Sequence, residues 1–322
     1  MGVRFEPSGL HLYDRHSGLH VLLDELRPDP AMVSLGPRTL SIAVTDVCDF
    51  ACPHCHVKKG TTFCGVDELV SFCCQCERMG TLDVALGGGE PTLHPAFATI
   101  CRRLWGETGL GVSFTTHGHH LTPSLVDLLA GSVSFARVSM DGVEPVYTRL
   151  RGRPLVDLLQ HIRLLKGMIP FGLNVLITPE TIGMLDRVMD VAVQHDAKEI
   201  LLLPVVVAAA PQLAPCHWDA LDRWIQKNYQ VLPLRVGAYA RKWLHGPFLF
   251  DAEWEEDYAY WATDGTLRSS SYASTGVRIA DYSSVAECVL AWRAIVRRLP
   301  ASTTASSAHP IAPAGSSGAS PD

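Results

Sequence analysis

Three cysteines close together in the chain are the residues whose types and spacing are best suited to chemistry. Cys48, Cys52 and Cys55 have the spacing C-x3-C-x2-C. Three thiolates on one short loop can hold three corners of a cubane iron–sulfur cluster and leave the fourth iron without a protein ligand. Because an open metal position is typical of catalytic sites, as zinc sites also show, the spacing predicts a reactive [4Fe-4S] cluster.

A zinc site is the main alternative for the same segment. It would combine Cys52 and Cys55 with His54 or His56, but a closed zinc site needs four ligands, commonly supplied as two spaced pairs. The next cysteines fall in a helical pattern and are expected to face its packed side: Cys73, Cys74 and Cys76. An open iron–sulfur cluster is therefore favoured over zinc and over plain packing of the thiols.

The elements that must position these cysteines alternate between strand-like and helical patterns. Apolar, β-type runs are present at Thr39–Val44, Asp83–Leu86, Gly111–Thr115, Phe135–Met140, Phe171–Ile177 and Glu199–Leu203. Helical patterns lie between them at Val66–Met79, Ala96–Trp105, Pro123–Ala130, Pro154–Gly167 and Ile182–Gln194. Such alternation implies parallel strands with right-handed crossovers. We therefore expect an α/β fold, a partial (β/α)6 barrel of the TIM type, with a doubly wound sheet as its competitor.

Functional residues of such a barrel lie where its strands end. The cysteines directly follow the first strand-like run, and a second unusual segment, Gly87-Gly88-Gly89-Glu90-Pro91, directly follows the second run. Glycines lack a Cβ and let the backbone approach a small ligand closely, and Glu90 with Pro91 fixes the turn. A tight strand-to-helix turn would also explain these glycines, so the segment has two interpretations.

The chain divides into four predicted regions, in this order: an N-terminal β-hairpin with a linker (1–37), the barrel core (38–212), a small α+β extension (213–299) and a disordered tail (300–322). The hairpin joins Leu10–Tyr13 to Leu19–Leu23. In the extension, a helix at Trp218–Tyr229 precedes an Asp264-Gly265 hairpin signal and a final helix at Val285–Leu299. An aromatic stretch lies before and within that hairpin: Trp254, Tyr258, Tyr260 and Trp261. The tail is almost all Ala, Ser, Thr, Pro and Gly.

Composition limits the class of protein. An apolar fraction of 47% and a charged fraction of 19% describe a globular chain that can bury a sizeable core. A net charge of −6 argues against a general nucleic-acid binder. There is no uninterrupted apolar run long enough to span a membrane, and Met1–Pro7 lacks a signal-peptide core, so we expect a cytoplasmic protein without a membrane partner. Its ten cysteines are then expected to be reduced thiols or metal ligands rather than disulfides.

Together, the cysteine triplet and Gly88-Gly89-Glu90-Pro91 resemble the motifs of radical S-adenosylmethionine (radical SAM) enzymes, in the same order along residues 39–204. The resemblance implies a [4Fe-4S] cluster whose open iron is chelated by the methionine group of S-adenosylmethionine (SAM). An electron from the cluster then cleaves the sulfonium, and the resulting 5′-deoxyadenosyl radical abstracts hydrogen from a substrate. It also implies an external one-electron reductant of the flavodoxin or ferredoxin type. His54 stands where the family usually has an aromatic residue beside the adenine.

The resemblance also implies roles for residues at the strand ends. Gly88, Gly89 and Glu90 would receive the methionine amino group, and the whole set of SAM-binding candidates is His54, Gly88, Gly89, Glu90, Pro91, Thr116, Ser139, Arg151 and Asn174. Ser139 and Asp141 share one strand face and match the family pattern Ser-x-Asp-Gly. Arg151 would lie near the SAM carboxylate, which an arginine fork suits, although a solvated surface arginine is the alternative.

His117 replaces the asparagine of the family pattern Thr-Asn-Gly at the end of the third strand. An imidazole there could bind substrate or titrate near neutral pH, and a hydrogen-bonded loop histidine is an equal alternative. His117 and Asp141 are therefore candidates for catalysis or substrate binding.

The C-terminal extension resembles the SPASM or twitch extensions that bind auxiliary clusters in many peptide-modifying relatives. Serines occupy the positions after the Asp-Gly hairpin where those relatives have cysteines: Ser269, Ser270 and Ser271. Only Cys216 and Cys288 remain downstream of the core, and two isolated thiols cannot hold a cubane cluster. The extension is therefore predicted to lack metals, which favours a redox-neutral reaction.

A small polar metabolite is the expected substrate, and a sugar or nucleoside of an antibiotic pathway is favoured. The preferred reaction is decarboxylation of a uronic-acid nucleoside, as in cytosylglucuronate decarboxylases, with one of four cations binding the carboxylate: Lys58, Lys59, Arg137 or Arg151. An epimerase or peptide-modifying enzyme that uses Cys216 or Cys288 as hydrogen donor is the alternative. A non-catalytic iron–sulfur or zinc protein is the alternative of another class.

Overall fold

A computed structural model describes residues 1–55, 57–207, 210–211, 213–237, 240, 243–250 and 257–298. His56, Trp254 and the predicted tail at 300–322 lie outside the described residues. The N-terminal region is an antiparallel sheet of three strands, β1 (Gly2–Glu6), β2 (Gly9–Asp14) and β3 (Leu19–Leu23). The predicted hairpin corresponds to β2 and β3 and is confirmed, and β1 adds a strand that was not predicted.

Strands and helices then alternate in this order: β4 (Thr39–Thr45), α1 (Val66–Arg78), β5 (Asp83–Gly88), α2 (Phe97–Glu107), β6 (Gly111–Thr116), α3 (Pro123–Leu129), β7 (Phe135–Ser139), α4 (Val146–Arg151), α5 (Leu155–Ile162), β8 (Phe171–Ile177), α6 (Pro179–Ile182), α7 (Leu185–Gln194) and β9 (Ile200–Pro204). Each strand from β4 to β9 pairs in parallel with the next one. The predicted α/β fold with parallel strands is therefore confirmed. Helix α4 was not predicted, because its six residues are too short to show a helical period.

The C-terminal region consists of β10 (Val206–Val207), β11 (Ala210–Pro211), α8 (Pro215–Asn228), β12 (Leu234–Val236), β13 (Leu249–Phe250), β14 (Tyr258–Trp261), β15 (Thr266–Arg268), β16 (Gly276–Arg278) and α9 (Val285–Val296). The Asp264-Gly265 hairpin is confirmed as the turn between β14 and β15. These strands extend the barrel sheet: β12 pairs with β9, and β14 pairs in parallel with β4. Within the described residues the sheet has eleven strands, in the order β13-β12-β9-β8-β7-β6-β5-β4-β14-β15-β16.

The two faces of this sheet differ in chemistry because strand side chains alternate between them. One face is apolar, buried and part of the hydrophobic core with the helices, as at Leu40, Ile42, Val84, Leu86, Val112 and Phe114. The other, which we call the inner face, carries half-buried residues that are mostly small or polar: Ser41, Ala85, Gly87, Ser113, Thr115, Arg137, Ser139, Tyr258 and Tyr260. A ligand of the barrel would contact this inner face.

A buried cluster of charges joins the N-terminal sheet to the barrel. Arg4 is 1% exposed; its Nε lies 3.0 Å from Glu6 Oε1, and its Nη2 lies 3.4 Å from Asp257 Oδ1. Arg38 Nη1 lies 3.7 Å from the same Glu6 oxygen and 3.6 Å from Asp257 Oδ2. Because Arg38 directly precedes β4 and Asp257 directly precedes β14, the cluster fixes the N-terminal sheet beside the point where these two strands meet.

Candidate active site

The three cysteines lie in the loop between β4 and α1, which we call the cysteine loop (residues 46–65). Cys48 and Cys52 are half-buried, Cys55 is exposed, and all three thiols are free. Burial raises the pKa of Cys48, and it raises the pKa of Cys52 against the opposing effect of Arg151. A fourth cysteine of the loop, Cys64, instead donates its thiol to the carbonyl of Ala43 over 3.3 Å.

The glycine turn fixes the base of the cysteine loop. The backbone N–H of Gly89 donates to the Thr45 carbonyl over 2.7 Å, and that of Glu90 donates to the Val47 carbonyl over 2.7 Å. Gly88 has φ +121°, and a Cβ there would lie 2.1 Å from the Thr45 oxygen; a Cβ on Gly89 would lie 2.2 Å from the Val47 oxygen. The close approach that requires these two glycines is therefore to protein backbone. A Cβ on Gly87 would meet open space, which leaves room for a ligand.

The carboxylate of Glu90 is buried and satisfied by protein donors. It is 1% exposed and accepts hydrogen bonds from Thr116 Oγ1 (2.7 Å), Thr92 Oγ1 (2.6 Å) and the backbone N–H of His117 (2.8 Å). Pro91 is buried at the start of a single 3-10 turn that Glu90 caps. The hydrogen bond between Thr116 and Glu90 therefore joins the ends of β5 and β6. The predicted contact of Gly88, Gly89 and Glu90 with the SAM amino group stays a prediction.

His117 packs against the cysteine loop. Its Nε2 lies 3.0 Å from Asp49 Oδ1, and the Phe50 ring stacks on the imidazole with centroids 3.9 Å apart. Burial lowers the pKa of His117, although Glu90 and Asp49 oppose this effect. These contacts favour the interpretation of His117 as a hydrogen-bonded loop residue. Asp49 was missed in the sequence, although its position directly after Cys48 places a carboxylate beside a proposed ligand.

Asp141 is the centre of a second set of contacts. It is 2% exposed, and its Oδ2 lies 3.0 Å from His54 Nε2 and 2.7 Å from Arg151 Nη2. Its Oδ1 accepts a hydrogen bond from the backbone of Leu176 over 3.0 Å. Although burial alone would raise it, the neighbouring Arg151 and His54 hold the pKa of Asp141 below its usual range. Arg151 also directs Nη1 at Cys52 Sγ, 3.7 Å away. Three predicted site residues therefore meet at one carboxylate.

Ser139 and Asn174 are paired neighbours on β7 and β8. Asn174 is 9% exposed, and its Oδ1 has no hydrogen-bond partner within the described part of the chain; the same is true of the buried Arg151 Nε. Buried polar atoms normally have partners, so these atoms fit a polar ligand at the ends of β7 and β8. Together with the three thiols and the space at Gly87, they fit a [4Fe-4S] cluster held by Cys48, Cys52 and Cys55 with SAM beside it.

The two downstream cysteines lie on helices α8 and α9 of the C-terminal region. Cys288 is 0% exposed in α9, which packs against α1, and burial raises its pKa to about 11. A thiol in such a packed helix is inert, so this placement argues against a role as hydrogen donor. Cys216 is exposed in the first turn of α8.

The predicted carboxylate-binding cations also have defined surroundings. Arg137 Nη1 lies 2.8 Å from Glu199 Oε1, and Arg235 Nε donates to Glu199 Oε2 over 2.7 Å. Lys58 and Lys59 are exposed in the cysteine loop. Glu199 and Arg235 were not identified from the sequence. The signal available there was a charged residue next to apolar, strand-like residues.

Comparison with known proteins gives matches of three kinds. The radical SAM superfamily model matches residues 42–192. A probable GTP 3′,8-cyclase of Methanosarcina mazei is 27% identical over 252 residues, which cover 72% of this chain and 75% of that protein. Mycofactocin maturase MftC of Mycobacterium tuberculosis is 30% identical over 173 residues, 50% of this chain and 43% of that protein. A GTP 3′,8-cyclase of Mannheimia succiniciproducens is 33% identical over 114 residues, 33% of this chain and 34% of that protein. The chain therefore spans less than half the length of the last two relatives.

Solved structures share the fold. SuiB of Streptococcus suis, bound to the precursor peptide SuiA, has a TM-score of 0.70 at 13% identity, over 88% of this chain and 85% of that chain. The enzyme anSMEcpe with bound AdoMet has a TM-score of 0.54 at 15% identity, over 74% of this chain and 75% of that chain. Within the described residues, no helix has the length and apolar character needed to cross a bilayer.

These matches agree with the site. The radical SAM family uses a [4Fe-4S] cluster and SAM, and SuiB has also been solved with SAM bound. The matched residues include the cysteine loop, the glycine turn and the contacts around Asp141. On this evidence residues 42–192 of the chain are similar to the radical SAM superfamily, and the fold is shared with solved structures.

Proposed function

We propose that this chain is a radical SAM enzyme that abstracts hydrogen from a small polar metabolite, a sugar or nucleoside, and that its reaction is the redox-neutral decarboxylation of a uronic-acid nucleoside. The cluster and SAM, when bound, supply the 5′-deoxyadenosyl radical. Cys48, Cys52 and Cys55 hold the cluster, and Ser139, Asn174 and Arg151 hold polar groups of SAM. An external one-electron reductant of the flavodoxin or ferredoxin type provides the electron.

The polar inner face is the observation that carries the choice of substrate. Below the strand ends it presents the half-buried hydroxyl groups of Ser41, Ser113 and Thr115. Two tyrosines on β14, Tyr258 and Tyr260, are half-buried on the same face. Hydroxyl groups are both donors and acceptors, and tyrosine rings can stack on a base, so this face suits a hydroxyl-rich nucleoside better than an apolar ligand.

The decarboxylation has further support from charge and from composition. Arg137 and Arg235 both contact the single carboxylate of Glu199, so this group of residues carries a net positive charge, which binding of a substrate carboxylate requires. Downstream of β9 the sequence has only Cys216 and Cys288, too few thiols for an auxiliary cluster that would take up an electron. The nucleoside part of the proposal has support from the likeness to a GTP 3′,8-cyclase, which is named for a nucleotide.

A peptide substrate is the second candidate. The edge strand β3 is exposed along its whole length and mostly apolar, which is typical of surfaces that bind an extended peptide. Mycofactocin maturase, to which this chain is similar, and SuiB, solved with a precursor peptide, are the relatives that favour it. In such a reaction, or in an epimerisation, the exposed Cys216 would be the hydrogen donor.

The test measures deoxyadenosine formation by liquid chromatography. The enzyme is reconstituted anaerobically and incubated with SAM and dithionite. Candidate sugars, nucleosides and uronic-acid nucleosides are supplied in turn, and Cys55→Ala is the control. We expect deoxyadenosine above the control with a uronic-acid nucleoside, together with release of CO2. No deoxyadenosine above the control would refute the radical enzyme. Deoxyadenosine with a neutral nucleoside or a peptide, and none with the acid, would refute the decarboxylase.

A further inference from the structure

Asp141 joins the cysteine loop to the end of the barrel through three buried contacts. One carboxylate oxygen faces both His54 Nε2 at 3.0 Å and Arg151 Nη2 at 2.7 Å, and the other accepts the backbone N–H of Leu176 at 3.0 Å. His54 is part of the cysteine loop, Arg151 ends α4, and Leu176 lies on β8. The carboxylate therefore fixes elements that are far apart in the chain.

The guanidinium of Arg151 has defined contacts through two of its nitrogens. The side chain is 13% exposed, and Nη2 is held by Asp141 while Nη1 points at Cys52 Sγ at 3.7 Å. Its backbone is fixed because α4 ends in Gly152, which has φ +73° and donates its N–H to the Thr148 carbonyl. A long arginine side chain is flexible unless contacts hold its end. The position of Nη1 therefore depends on the ion pair between Nη2 and Asp141.

We propose that Asp141 is a positioning residue for the cluster: it holds Arg151 so that Nη1 donates to the sulfur of Cys52, which raises the reduction potential of the cluster. A cluster gains negative charge on reduction, so a donor and a positive charge at one of its sulfurs stabilise the reduced state. The contact is partly buried, which strengthens this effect relative to one in water. The inference rests on the proposed function only in requiring that Cys48, Cys52 and Cys55 hold the cluster.

A redox titration of the reconstituted protein tests this inference. The reduced cluster is monitored by electron paramagnetic resonance, in the absence of SAM and substrate. At the midpoint potential of the wild type, we expect Arg151→Met to lower the ratio of reduced to oxidised cluster about tenfold, the loss of one charge-assisted hydrogen bond. Asp141→Asn has two effects: it removes a negative charge, which favours reduction, and it releases Arg151, which opposes reduction. In the Arg151→Met background only the first effect remains, so Asp141→Asn should favour reduction more there than in the wild type.

Equal shifts from Asp141→Asn in the two backgrounds would overturn the positioning role, and an unchanged midpoint in Arg151→Met would overturn the effect of Arg151. The matched control is Arg149→Met on the same helix, whose exposed guanidinium pairs with Glu180 and should leave the midpoint unchanged. If Arg151→Met does not retain a cluster, Arg151→Lys takes its place in the titration. Lysine lacks the directed guanidinium donor, so we expect a lower midpoint potential. An unchanged midpoint potential would refute the inference. Because no substrate is present, a failure of the decarboxylase proposal would leave these midpoints unaffected.

Discussion

Replacing Gly88 with alanine tests whether the glycine turn fixes the base of the cysteine loop. Gly88 has φ +121°, a conformation that costs a residue with a Cβ about 1–3 kcal/mol. Its new Cβ would lie 2.1 Å from the Thr45 carbonyl oxygen and 3.2 Å from the Cα of Ala43. Both contacts are with backbone of β4, so relief requires moving a buried strand, at a further cost of about 1–3 kcal/mol. We expect Gly88→Ala to lower the free energy of unfolding by about 2–6 kcal/mol.

The assay is urea unfolding of the apoprotein followed by circular dichroism, combined with iron content after reconstitution. Gly87→Ala is the matched control, because its Cβ meets no atom within 4 Å. The control should unfold near the wild-type midpoint and bind iron normally, while a Cβ in that open space should weaken SAM binding. Gly88→Ala should unfold earlier and bind less iron. If the two variants unfolded at the same urea concentration, the close contact between Gly88 and the end of β4 would be wrong.

Three further predictions concern other parts of the fold. Arg4→Met should lower the free energy of unfolding by about 3–5 kcal/mol, measured in urea, because it leaves the buried carboxylates of Glu6 and Asp257 short of a partner; wild-type stability would contradict the role of this cluster. His11, Arg38 and Arg4 outweigh burial and lower the pKa of Glu6 from 4.5 to about 2. The stabilisation from Glu6, about 3 kcal/mol, should therefore be complete above about pH 4.5 and be lost as the pH falls towards 2, and Glu6→Gln should flatten that part of the pH profile. If the proposed decarboxylation is the reaction, the double variant Cys216→Ala, Cys288→Ala should keep full turnover, whereas loss of turnover in this variant would favour the epimerase.

The sequence predicts local elements of this fold better than long-range pairings. Alternation and an Asp264-Gly265 turn were enough to predict the β14–β15 hairpin, since both signals lie within a few residues of each other. The parallel pairing of β14 with β4 joins residues more than two hundred positions apart, and no local pattern encodes it. The extension was therefore expected to be a separate small unit, whereas β14 to β16 continue the barrel sheet. Similarly, β1 has only five residues, and its buried side chains are the charged Arg4 and Glu6, so its sequence shows no apolar buried face.

The candidate site shows the same division between local and long-range information. The spacing of the cysteines predicts their shared loop, because all three lie within eight residues. The sequence does not indicate where a buried carboxylate finds its donors. Glu90 was predicted to contact the SAM amino group, which stays a prediction, and the structure adds donors that the sequence did not indicate: Thr92, Thr116 and the backbone of His117. Asp141 was a candidate for substrate binding, and the structure places it between His54 and Arg151.

The cysteine loop is held in place by contacts from several strand ends. The turn after β5 bonds to the backbone of Thr45 and Val47, the end of β6 reaches Asp49 through His117, and the end of β7 reaches His54 through Asp141. Each contact alone is worth only a few kcal/mol, and each depends on its strand being in register with its neighbours. The conformation of the loop therefore depends on the pairing of β4 to β7. The three thiols supply the ligands, and contacts from the ends of the parallel strands fix the loop that carries them.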